Sequence, residues 1–293
     1  MDLVCIRPAT AIDPLITVVI PSFNRASVIG RTIASVLAQT LDRFELVIVD
    51  DGSTDDTLAV LACFTDPRIA VYQQANAGAP AARNAGVAVA RTPLVAFQDS
   101  DDVWLPELLA RHVAGLADAD VSFCQLDQRY GDARSIGPAP GWQMGADLYG
   151  QLLESSIVSS QTLAMHKTVY QAVGGFDPAM PRFQDWDLVL RLVKGGYRFH
   201  YIAEPLAIAY DSPDSLTRSI EKGIIGRERL MARNMEGFAA RPALLARNYY
   251  VLGSQCRRIG DFAAARRHFV NALRTEPGNW RAAIQWLMAA LGR

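Results

Sequence analysis

The sequence predicts an α/β fold with a mostly parallel sheet, followed by an all-helical C-terminal part. From residue 15, short runs rich in β-branched residues alternate with longer segments whose apolar residues recur at helical spacing. This alternation is typical of βαβ units. From about Ile220 the chain contains many strong helix formers and no segment with the pattern of a strand. We therefore expect an N-terminal extension, an α/β domain and a helical extension, over residues 1–14, 15–219 and 220–293.

Composition limits the classes of partner. Half of the 293 residues are apolar, which is enough for a sizeable core. Lys and Arg number 29 against 30 Asp and Glu, a formal charge of -1, so nothing indicates broad electrostatic binding to nucleic acid or anionic membranes. No apolar run approaches the roughly 18 residues of a spanning helix, and the first residues lack a signal-peptide pattern. We expect a cytoplasmic protein, with peripheral association at the inner face of the membrane left open.

The elements follow in order along the α/β part. Residues 27–40 place Ile29, Ile33, Val36 and Leu37 at helical spacing, which predicts an amphipathic helix between the first two strands. Residues 130–145 are rich in Gly and Pro without periodicity and predict a long loop. A further helix is predicted to start near Asp185 and to end at Lys194 and Gly195. The first four predicted strands are 17–20, 45–50, 68–74 and 93–99.

Polar residues follow each of these four strands. Ligands of open parallel sheets bind at the carboxyl ends of the strands. The first strand is followed by neither GxGxxG nor GxxxxGK[ST], so a glycine-rich phosphate loop is not predicted there. A nucleotide diphosphate would then need a divalent cation held by carboxylates. The four segments are "PSFNR", "DDGSTDD", "QQANAGAPAARNAG" and "QDSDD".

The last of these segments holds Asp99, Asp101 and Asp102. In extended backbone, residues two apart point to the same side, so Asp99 and Asp101 are expected to converge while Asp102 faces elsewhere. Two carboxylates about 4 Å apart repel by roughly 4 kcal/mol at an effective dielectric near 20, which Mg²⁺ or Mn²⁺ would convert into attraction. The alternative is that the acids only start the next helix, with Pro106 in its first turn.

The segments "TVVIPSFNRASVIGRTIASVLAQTLDRFELVIVDDGSTDDT", "QANAGAPAARNAG", "QDSDDVWLP", "VGGFDP" and "QDWDLVLRLVKGGYRF" together resemble the family 2 glycosyltransferases over residues 15–215. The resemblance implies a GT-A fold, with a Rossmann-like nucleotide-binding half over 15–120 and an acceptor half over 121–219. It also implies inverting transfer of one sugar from a nucleotide diphosphate sugar, expected to be UDP-linked. The implied acceptor is a hydroxyl of a glycan or glycolipid, as in surface polysaccharide synthesis.

The resemblance also implies nucleotide and metal contacts. The segment from Pro21 to Phe23 would line the base pocket, and Asp51 would hydrogen-bond the base. Asp99 would approach the ribose, and Asp101 would coordinate Mn²⁺ or Mg²⁺ on the diphosphate. The segment around Asp51 also reads as a strand-to-helix connection, and both interpretations can hold.

Two interpretations of Arg83 stay open, because its guanidinium can meet phosphate or brace the acidic loop. The matching segment has Gly78 and Gly86, which permit close backbone approach.

Asp185 is the candidate general base. Inverting transfer needs a group that removes the acceptor hydroxyl proton, and the family usually has Glu-Asp here, whereas this chain has Gln184. The missing charge would affect acceptor orientation rather than the base itself. The alternative is that Asp185 only caps the helix. Trp186 is either an acceptor platform or a core residue.

A second departure lies at Asp211 and Pro213, where many relatives carry Arg and His. Phosphate contact would then fall to Ser215, Thr217 or Arg218. The QxxRW motif of processive members is absent, so one sugar per encounter is expected.

Residues 245–279 resemble one tetratricopeptide repeat. A single unit cannot bury both of its faces. It would stack on the catalytic domain, on the final helix or on another chain, and a membrane-surface helix using Trp280, Trp286 and Leu287 is a further option. The matching positions are Leu252, Gly253, Gly260, Ala264, Phe269, Ala272 and Pro277.

Two rival functions are considered. A non-catalytic scaffold with a degenerate transferase domain is favoured by Gln184 and opposed by the intact aspartates. A sugar nucleotidyltransferase would need a glycine-rich basic loop after the first strand, which "PSFNRAS" does not provide.

Overall fold

The computed structural model describes residues 3–10, 13–211 and 219–292. The chain divides into two compact units, which do not coincide with a single cut in the sequence. The first unit contains residues 1–149, 156–178 and 185–213, and the second contains 150–155, 179–184 and 214–293.

Between residues 3 and 211 the described chain forms ten strands and seven helices. The strands are β1 (Val4–Arg7), β2 (Ile16–Ser22), β3 (Phe44–Asp50), β4 (Ile69–Gln73), β5 (Leu94–Phe97), β6 (Val103–Trp104), β7 (Val121–Tyr130), β8 (Ala133–Gly137), β9 (Leu163–His166) and β10 (Phe199–Tyr210). The helices are α1 (Ile29–Leu37), α2 (Thr57–Ala62), α3 (Ala79–Val89), α4 (Leu108–Gly115), α5 (Leu148–Glu154), α6 (Lys167–Ala172) and α7 (Gln184–Lys194).

The ten strands form one mixed sheet in the first unit, with the order β1-β4-β3-β2-β5-β9-β7-β10-β6 and β8 paired with β7. Strands β4, β3, β2 and β5 run parallel, as do β7 and β10. The antiparallel additions are β1 on β4, β9 between β5 and β7, and β6 on β10. The predicted mostly parallel sheet with flanking helices is confirmed.

The central strands of the sheet are covered by helices on both faces, which accounts for their continuous apolar sequences. Every residue of β2 and β3 is buried, as expected for parallel strands covered on both faces. One face of the sheet packs against α1, whose buried side chains include Ile29, Ile33 and Val36. On the other face, Ala82 of α3 packs with Val47 and Val49. The predicted crossover helix is therefore confirmed.

The prediction of a long loop over residues 130–145 was wrong in part. Strand β7 continues to Tyr130, and β8 pairs with it antiparallel from Leu126 opposite Gly137 to Tyr130 opposite Ala133. Strand β8 has little apolar alternation, and three of its five residues are exposed. Its strand conformation comes from pairing with β7, which the local sequence does not encode.

The helix predicted after the acidic residues begins later than expected. Val103 and Trp104 form β6, which pairs antiparallel with β10, and α4 begins only at Leu108. Pro106 therefore lies before the helix rather than in its first turn.

Gly86 of α3 lies directly against the side chains of the central strands. A Cβ at this position would lie 2.4 Å from Val19 Cγ1 and 3.4 Å from Val49 Cγ2, and both valines are fully buried. We expect Gly86→Ala to lower the free energy of unfolding by about 1–3 kcal/mol, because the helix must shift away from the sheet. The measurement is urea unfolding followed by circular dichroism.

The matched control for this substitution is Gly30→Ala. A Cβ at Gly30 of α1 would have Phe64 Cζ at 3.8 Å as its nearest neighbour. This alanine should leave stability unchanged or raise it by up to about 1 kcal/mol through helix propensity. Equal unfolding midpoints for the two variants would show that the approach at Gly86 does not limit packing.

Within residues 219–292 the second unit consists of five helices joined by short connections. The predicted all-helical extension is confirmed. Gly253 lies against the ring of Phe269, since a Cβ there would be 2.7 Å from Phe269 Cε1. The close contact between these two residues packs their helices against each other as a helical hairpin. The resemblance of this segment to a tetratricopeptide repeat stays a prediction. The helices are α8 (Ile220–Arg233), α9 (Met235–Ala239), α10 (Pro242–Arg258), α11 (Phe262–Thr275) and α12 (Trp280–Ala290).

Among the described residues, no helix combines the length and the apolarity needed to cross a membrane.

Candidate active site

The loops after β2 and β3 are joined by hydrogen bonds at one edge of the sheet. The backbone N–H of Asn24 donates to Ser53 Oγ at 2.9 Å. The N–H of Thr54 donates to Asn24 Oδ1 at 2.8 Å, and the N–H of Arg25 donates to Thr57 Oγ1 at 2.8 Å. Because β2 and β3 are parallel neighbours, the segments predicted to share this edge do lie together.

Asp51 holds the loop that follows β4. Its Oδ1 accepts hydrogen bonds from Gln74 Nε2 at 2.7 Å and from the Ala77 N–H at 2.9 Å, and its Oδ2 accepts from the Gly78 N–H at 2.8 Å. The residue is only 2% exposed. Gly78 has φ of 88°, the left-handed region that glycine adopts without strain. The carboxylate thus fixes the entry into α3.

Pro21 and Phe23 differ in exposure. Pro21 is buried within β2, whereas Phe23 follows that strand and is 41% exposed. An exposed aromatic ring at the carboxyl end of a central strand is available to pack against a flat ligand.

The acidic residues after β5 lie on a turn rather than on extended backbone. The N–H of Asp102 donates to the carbonyl of Asp99 at 3.4 Å, and residues 100 and 101 form the turn. The strand-alternation argument for Asp99 and Asp101 was therefore wrong, because the chain reverses direction between them. We call residues 99–102 the acidic turn.

Asp99 is held from two sides. Arg83 Nη2 donates to Asp99 Oδ1 at 2.5 Å, and the hydroxyl of Ser160 donates to the same oxygen at 3.0 Å. Arg83 Nη2 also lies 3.2 Å from Ser160 Oγ. Of the two interpretations of Arg83, the structure shows the bracing of the acidic turn. Its Nε and Nη1 are buried and have no hydrogen-bond partner among the described residues.

Asp101 has a carboxylate that reaches solvent. Its side chain is 22% exposed, and its Oδ2 lies 4.0 Å from Arg25 Nε. Its backbone carbonyl accepts a hydrogen bond from Arg31 Nη2 at 2.6 Å. The turn is therefore fixed through the main chain, and the carboxylate remains at the surface of the site.

Asp102 anchors the acidic turn to the rest of the sheet. Its Oδ2 accepts from Gln161 Nε2 at 2.9 Å, and its Oδ1 accepts from the N–H of Tyr210 at the end of β10 at 3.1 Å. Thr32 of α1 donates to its backbone carbonyl at 2.8 Å. Burial, together with the charges of the two neighbouring aspartates, raises the pKa of Asp102 well above its ordinary value.

The segments "ARN" and "VGGFD" are tied together beside this turn. Asn84 Nδ2 donates to the carbonyl of Phe176 at 2.8 Å, and the N–H of Phe176 donates to Asn84 Oδ1 at 3.0 Å. The guanidinium of Arg83 lies 5.1 Å from the centre of the Phe176 ring. Gly175 has φ of 66°, and a Cβ there would be 2.8 Å from Asn84 Oδ1, so no other residue fits this bend without displacement.

Asp185 lies in the first turn of α7, as predicted, and is half-buried. Its Oδ1 accepts a hydrogen bond from the Trp186 N–H at 2.8 Å. Burial raises the pKa of Asp185; the Trp186 hydrogen bond and the positive charge of Arg83 lower it in part, while the charge of Asp99 raises it further. The charges of Arg83 and Asp99 therefore act on the carboxyl group of Asp185 as well as on each other.

The helix that carries Asp185 is fixed by a neighbouring ion pair. Asp187 is 1% exposed and pairs with Arg191 at 2.9 Å, one helical turn later. Arg191 also donates to the carbonyl of Gly175 at 2.8 Å. Asp187 is thus structural, and α7 is joined to the segment that contacts Asn84.

Trp186 belongs to the core. It is 4% exposed, so it offers no ring face for stacking, and the interpretation as an acceptor platform was wrong. Gln184 opens α7 and is half-buried. Pro213, Ser215, Thr217 and Arg218 lie outside the described residues, so their predicted roles stay predictions.

The described residues contain no group of three or more His, Cys, Asp or Glu side chains arranged to hold a metal ion. A cation at this site would therefore need donor atoms from a bound substrate in addition to the carboxylate of Asp101. This fits Mg²⁺ or Mn²⁺, which commonly bind through one or two carboxylates together with substrate phosphates.

Three residues of the site were missed by sequence reasoning. Ser160 and Gln161 lie on a 3₁₀ turn before β9 and contact Asp99 and Asp102. Gln74 contacts Asp51. The position of Gln74 at the end of a predicted strand was a usable signal, whereas nothing in the local pattern around residue 160 indicated a site.

Comparison with known proteins finds a family profile that matches the region containing most of the site. The sequence profile described as Glycosyl transferase family 2 matches residues 17–169, just over half of the 293 residues. This chain belongs to glycosyl transferase family 2. The match includes the acidic turn and Arg83, and it ends before Asp185.

Among the relatives of this family 2 chain is the UDP-Glc:alpha-D-GlcNAc-diphosphoundecaprenol beta-1,3-glucosyltransferase WfgD of Escherichia coli. The two are 36% identical over 112 residues, which cover 38% of this chain and 44% of the relative. For three curated relatives, the matched region spans between 38% and 54% of the relative's length.

Two solved structures share the fold of this family 2 chain. TarS 1-349 of S. aureus, in complex with UDP-GlcNAc, has a TM-score of 0.63 and 17% identity, covering 94% of this chain and 79% of that one. The mannosyltransferase PcManGT of Pyrobaculum calidifontis, in complex with GDP-Man and Mn²⁺, has a TM-score of 0.62 and 20% identity, covering 97% and 88%. At these identities the likeness shows the fold, and the expected GT-A fold is confirmed.

Proposed function

We propose that this protein is an inverting, metal-dependent glycosyltransferase. It moves one sugar from a nucleotide diphosphate sugar to a hydroxyl of a glycan or glycolipid in surface polysaccharide synthesis. The observation that supports the proposal is the set of contacts that links the Arg83–Asp99 pair to the helix of the candidate base Asp185. Arg83 lies over the ring of Phe176, and Arg191 of α7 donates to the carbonyl of the adjacent Gly175.

The nucleotide would lie across the carboxyl ends of β2, β3 and β5. Phe23 packs against the base, and Oδ2 of Asp51 accepts a further hydrogen bond from it, since a carboxylate oxygen can accept more than one. Asp99 faces the ribose from its position beside Ser160. A UDP-linked donor is favoured because the names of WfgD and the TarS complex contain uridine donors, whereas PcManGT was solved with a guanosine donor.

Asp101 would hold a divalent cation together with the diphosphate. Its partly exposed carboxylate supplies the hard oxygen ligand that Mg²⁺ and Mn²⁺ prefer, and the turn that carries it is fixed by Arg31 and Thr32 through backbone carbonyls. Such a cation, when bound, offsets the negative charge that develops on the leaving diphosphate.

Asp185 removes the proton from the acceptor hydroxyl. The acceptor oxygen then forms a bond to the anomeric carbon while the bond from that carbon to the diphosphate oxygen breaks, and the nucleoside diphosphate leaves. Because attack occurs from the face opposite the leaving group, the configuration at the anomeric carbon inverts. The protonated Asp185 returns its proton to solvent after the product departs.

The dependence of kcat on pH should show that the base has a raised pKa. Asp185 acts only when ionised, and its pKa lies above the ordinary 3.8, so kcat should fall as pH decreases through a value above 3.8. Arg83→Gln removes a positive charge that lowers this pKa, so its acidic limb should lie at higher pH than that of Arg83→Lys, which keeps the charge. Coincident limbs in the two variants would show that the charge of Arg83 does not act on the base.

The proposal as a whole is tested by binding and then by turnover. UDP with Mn²⁺ should raise the melting temperature of the full chain, since a ligand that binds only the folded state stabilises it. A panel of UDP and GDP sugars should then give metal-dependent release of nucleoside diphosphate for one donor. No thermal shift with any nucleotide diphosphate would instead favour the scaffold interpretation.

A further inference from the structure

The formal charge of the chain is divided unevenly along its length. Residues 219–293 contain 13 Lys or Arg and five Asp or Glu, which gives a formal charge of +8. Residues 1–218 contain the other 16 basic and 25 acidic side chains, which gives -9. The net charge of -1 is therefore the sum of a strongly basic helical segment and an acidic remainder. Such an asymmetry points to an anionic partner.

The last helix, α12, and the residue that directly follows it carry large apolar side chains on one outer face. Trp280 is 64% exposed, Ile284 50%, Leu287 54% and Leu291 63%. Their spacing of four, three and four residues places them on one stripe along the helix. We call these four residues the apolar stripe. An exposed stripe of this kind marks a surface that binds a partner.

The opposite side of α12 packs against the neighbouring helix. Ala282 and Ala289 are buried, and α12 packs against α11. Trp286 lies about 120° around the helix from the apolar stripe at 100° per residue, and it is less exposed, at 38%. The apolar stripe is thus a distinct surface rather than a part of the helical packing.

Exposed basic side chains occur on α12 and on the helix that packs against it. Arg281 is exposed at the start of α12, and α12 contains no acidic residue. On α11, the helix that α12 packs against, Arg266, Arg267 and Arg274 are exposed. A helix with Trp and Leu on one side and arginines on neighbouring surfaces has the composition of segments that lie in the interface of a bilayer.

We propose that the helical extension binds the surface of a bilayer that contains anionic phospholipids, with the apolar stripe inserted at the depth of the headgroups. Charge decides between the occupants, because two copies that meet through their apolar stripes would bring together two helical segments that each carry a formal charge of +8. An anionic lipid surface attracts the same charge, and Trp side chains are favoured at the boundary between headgroups and acyl chains. The proposal does not depend on the donor or acceptor of the proposed reaction.

The test is flotation of the full chain with two kinds of vesicle, phosphatidylcholine alone and phosphatidylcholine with about 30% phosphatidylglycerol. The protein should float with the anionic vesicles and not with the neutral ones. Binding should weaken several-fold when the salt concentration is raised from about 0.1 M to about 1 M, because the Debye length falls from roughly 10 Å to 3 Å. Equal binding to both vesicles, or none to either, would overturn the proposal.

Variants locate the surface. Trp280→Ala combined with Leu287→Ala should weaken binding to anionic vesicles by at least about tenfold, because both side chains are buried on insertion. Trp286→Ala is the matched control on the same helix and should retain binding. Arg266→Gln with Arg274→Gln should weaken binding several-fold. Thermal melts verify that each variant is folded.

A second copy of the chain bound to the apolar stripe would give a different experimental result. Sedimentation of the full chain without vesicles would then show a dimer that the combined Trp280→Ala and Leu287→Ala variant loses. That result would overturn the proposal. A monomer that binds anionic vesicles through the apolar stripe supports it.

Discussion

Asp185→Asn should lower kcat by about 10²–10⁴-fold, the range that a positioned general base contributes. The amide oxygen of Asn can still accept the hydrogen bond that Asp185 Oδ1 takes from the Trp186 N–H at 2.8 Å, so the start of α7 should be preserved. The amide cannot accept the proton of the acceptor hydroxyl. The measurements are kcat for transfer and the affinity for donor by calorimetry, and the affinity should stay at the wild-type value.

Asp56→Asn is the matched control for this experiment. Asp56 is the residue before the first turn of α2, is exposed, and makes no side-chain capping hydrogen bond. It tests the loss of a carboxylate at a helix start outside the site and should leave kcat unchanged. Transfer by Asp185→Asn at the wild-type rate would exclude Asp185 as the base, whereas a loss of both affinity and kcat would indicate a role in donor binding.

Asp101→Asn should abolish the metal dependence of donor binding. Arg31 binds the backbone carbonyl of Asp101 rather than its carboxylate, so the substitution leaves that anchor of the acidic turn in place and removes one negative charge. Since even outer-shell partners of a metal contribute roughly 10–100-fold to affinity, losing the ligand should weaken UDP binding in the presence of Mn²⁺ by on the order of 10²-fold. Calorimetry with and without Mn²⁺ measures this effect.

Asp118→Asn supplies the control, because Asp118 is an exposed acid that follows α4 and lies outside the site. It should bind UDP with the metal dependence of the wild type. If Asp101→Asn also keeps that dependence, the cation has other ligands. In that case the acidic turn positions the nucleotide without holding a metal.

The sequence predicted correctly those parts of the fold that follow from the spacing of apolar residues within short segments. Ile29, Ile33 and Val36 marked α1, and the buried runs of β2 and β3 marked the centre of the sheet. The placement of polar segments after β3 and β5 indicated the edge where Asp51 and the acidic turn lie. Such features depend on residues close in the sequence, which is why pattern analysis found them.

The parts that were missed depend on partners distant in sequence. Strand β8 exists because β7 pairs with it, and the conformation of the acidic turn depends on Ser160, Gln161 and Tyr210. The error over Asp99 and Asp101 had a different cause, because a turn follows β5 immediately and strand alternation no longer applies. The burial of Trp186 shows that it is a core residue. Its position in the helix alone was compatible with either interpretation.

The anchoring of Asp102 limits where this chain can be shortened. The segment that matches the family profile ends at residue 169, whereas the N–H that Asp102 Oδ1 accepts belongs to Tyr210. A fragment ending at residue 169 would also lack β10, which lies between β7 and β6 in the sheet. It would expose the edge of β7 and leave a buried carboxyl short of a donor. The recognisable family segment is thus smaller than the smallest piece that can fold with its acidic turn in place, and fragment libraries of this protein should extend at least through residue 210.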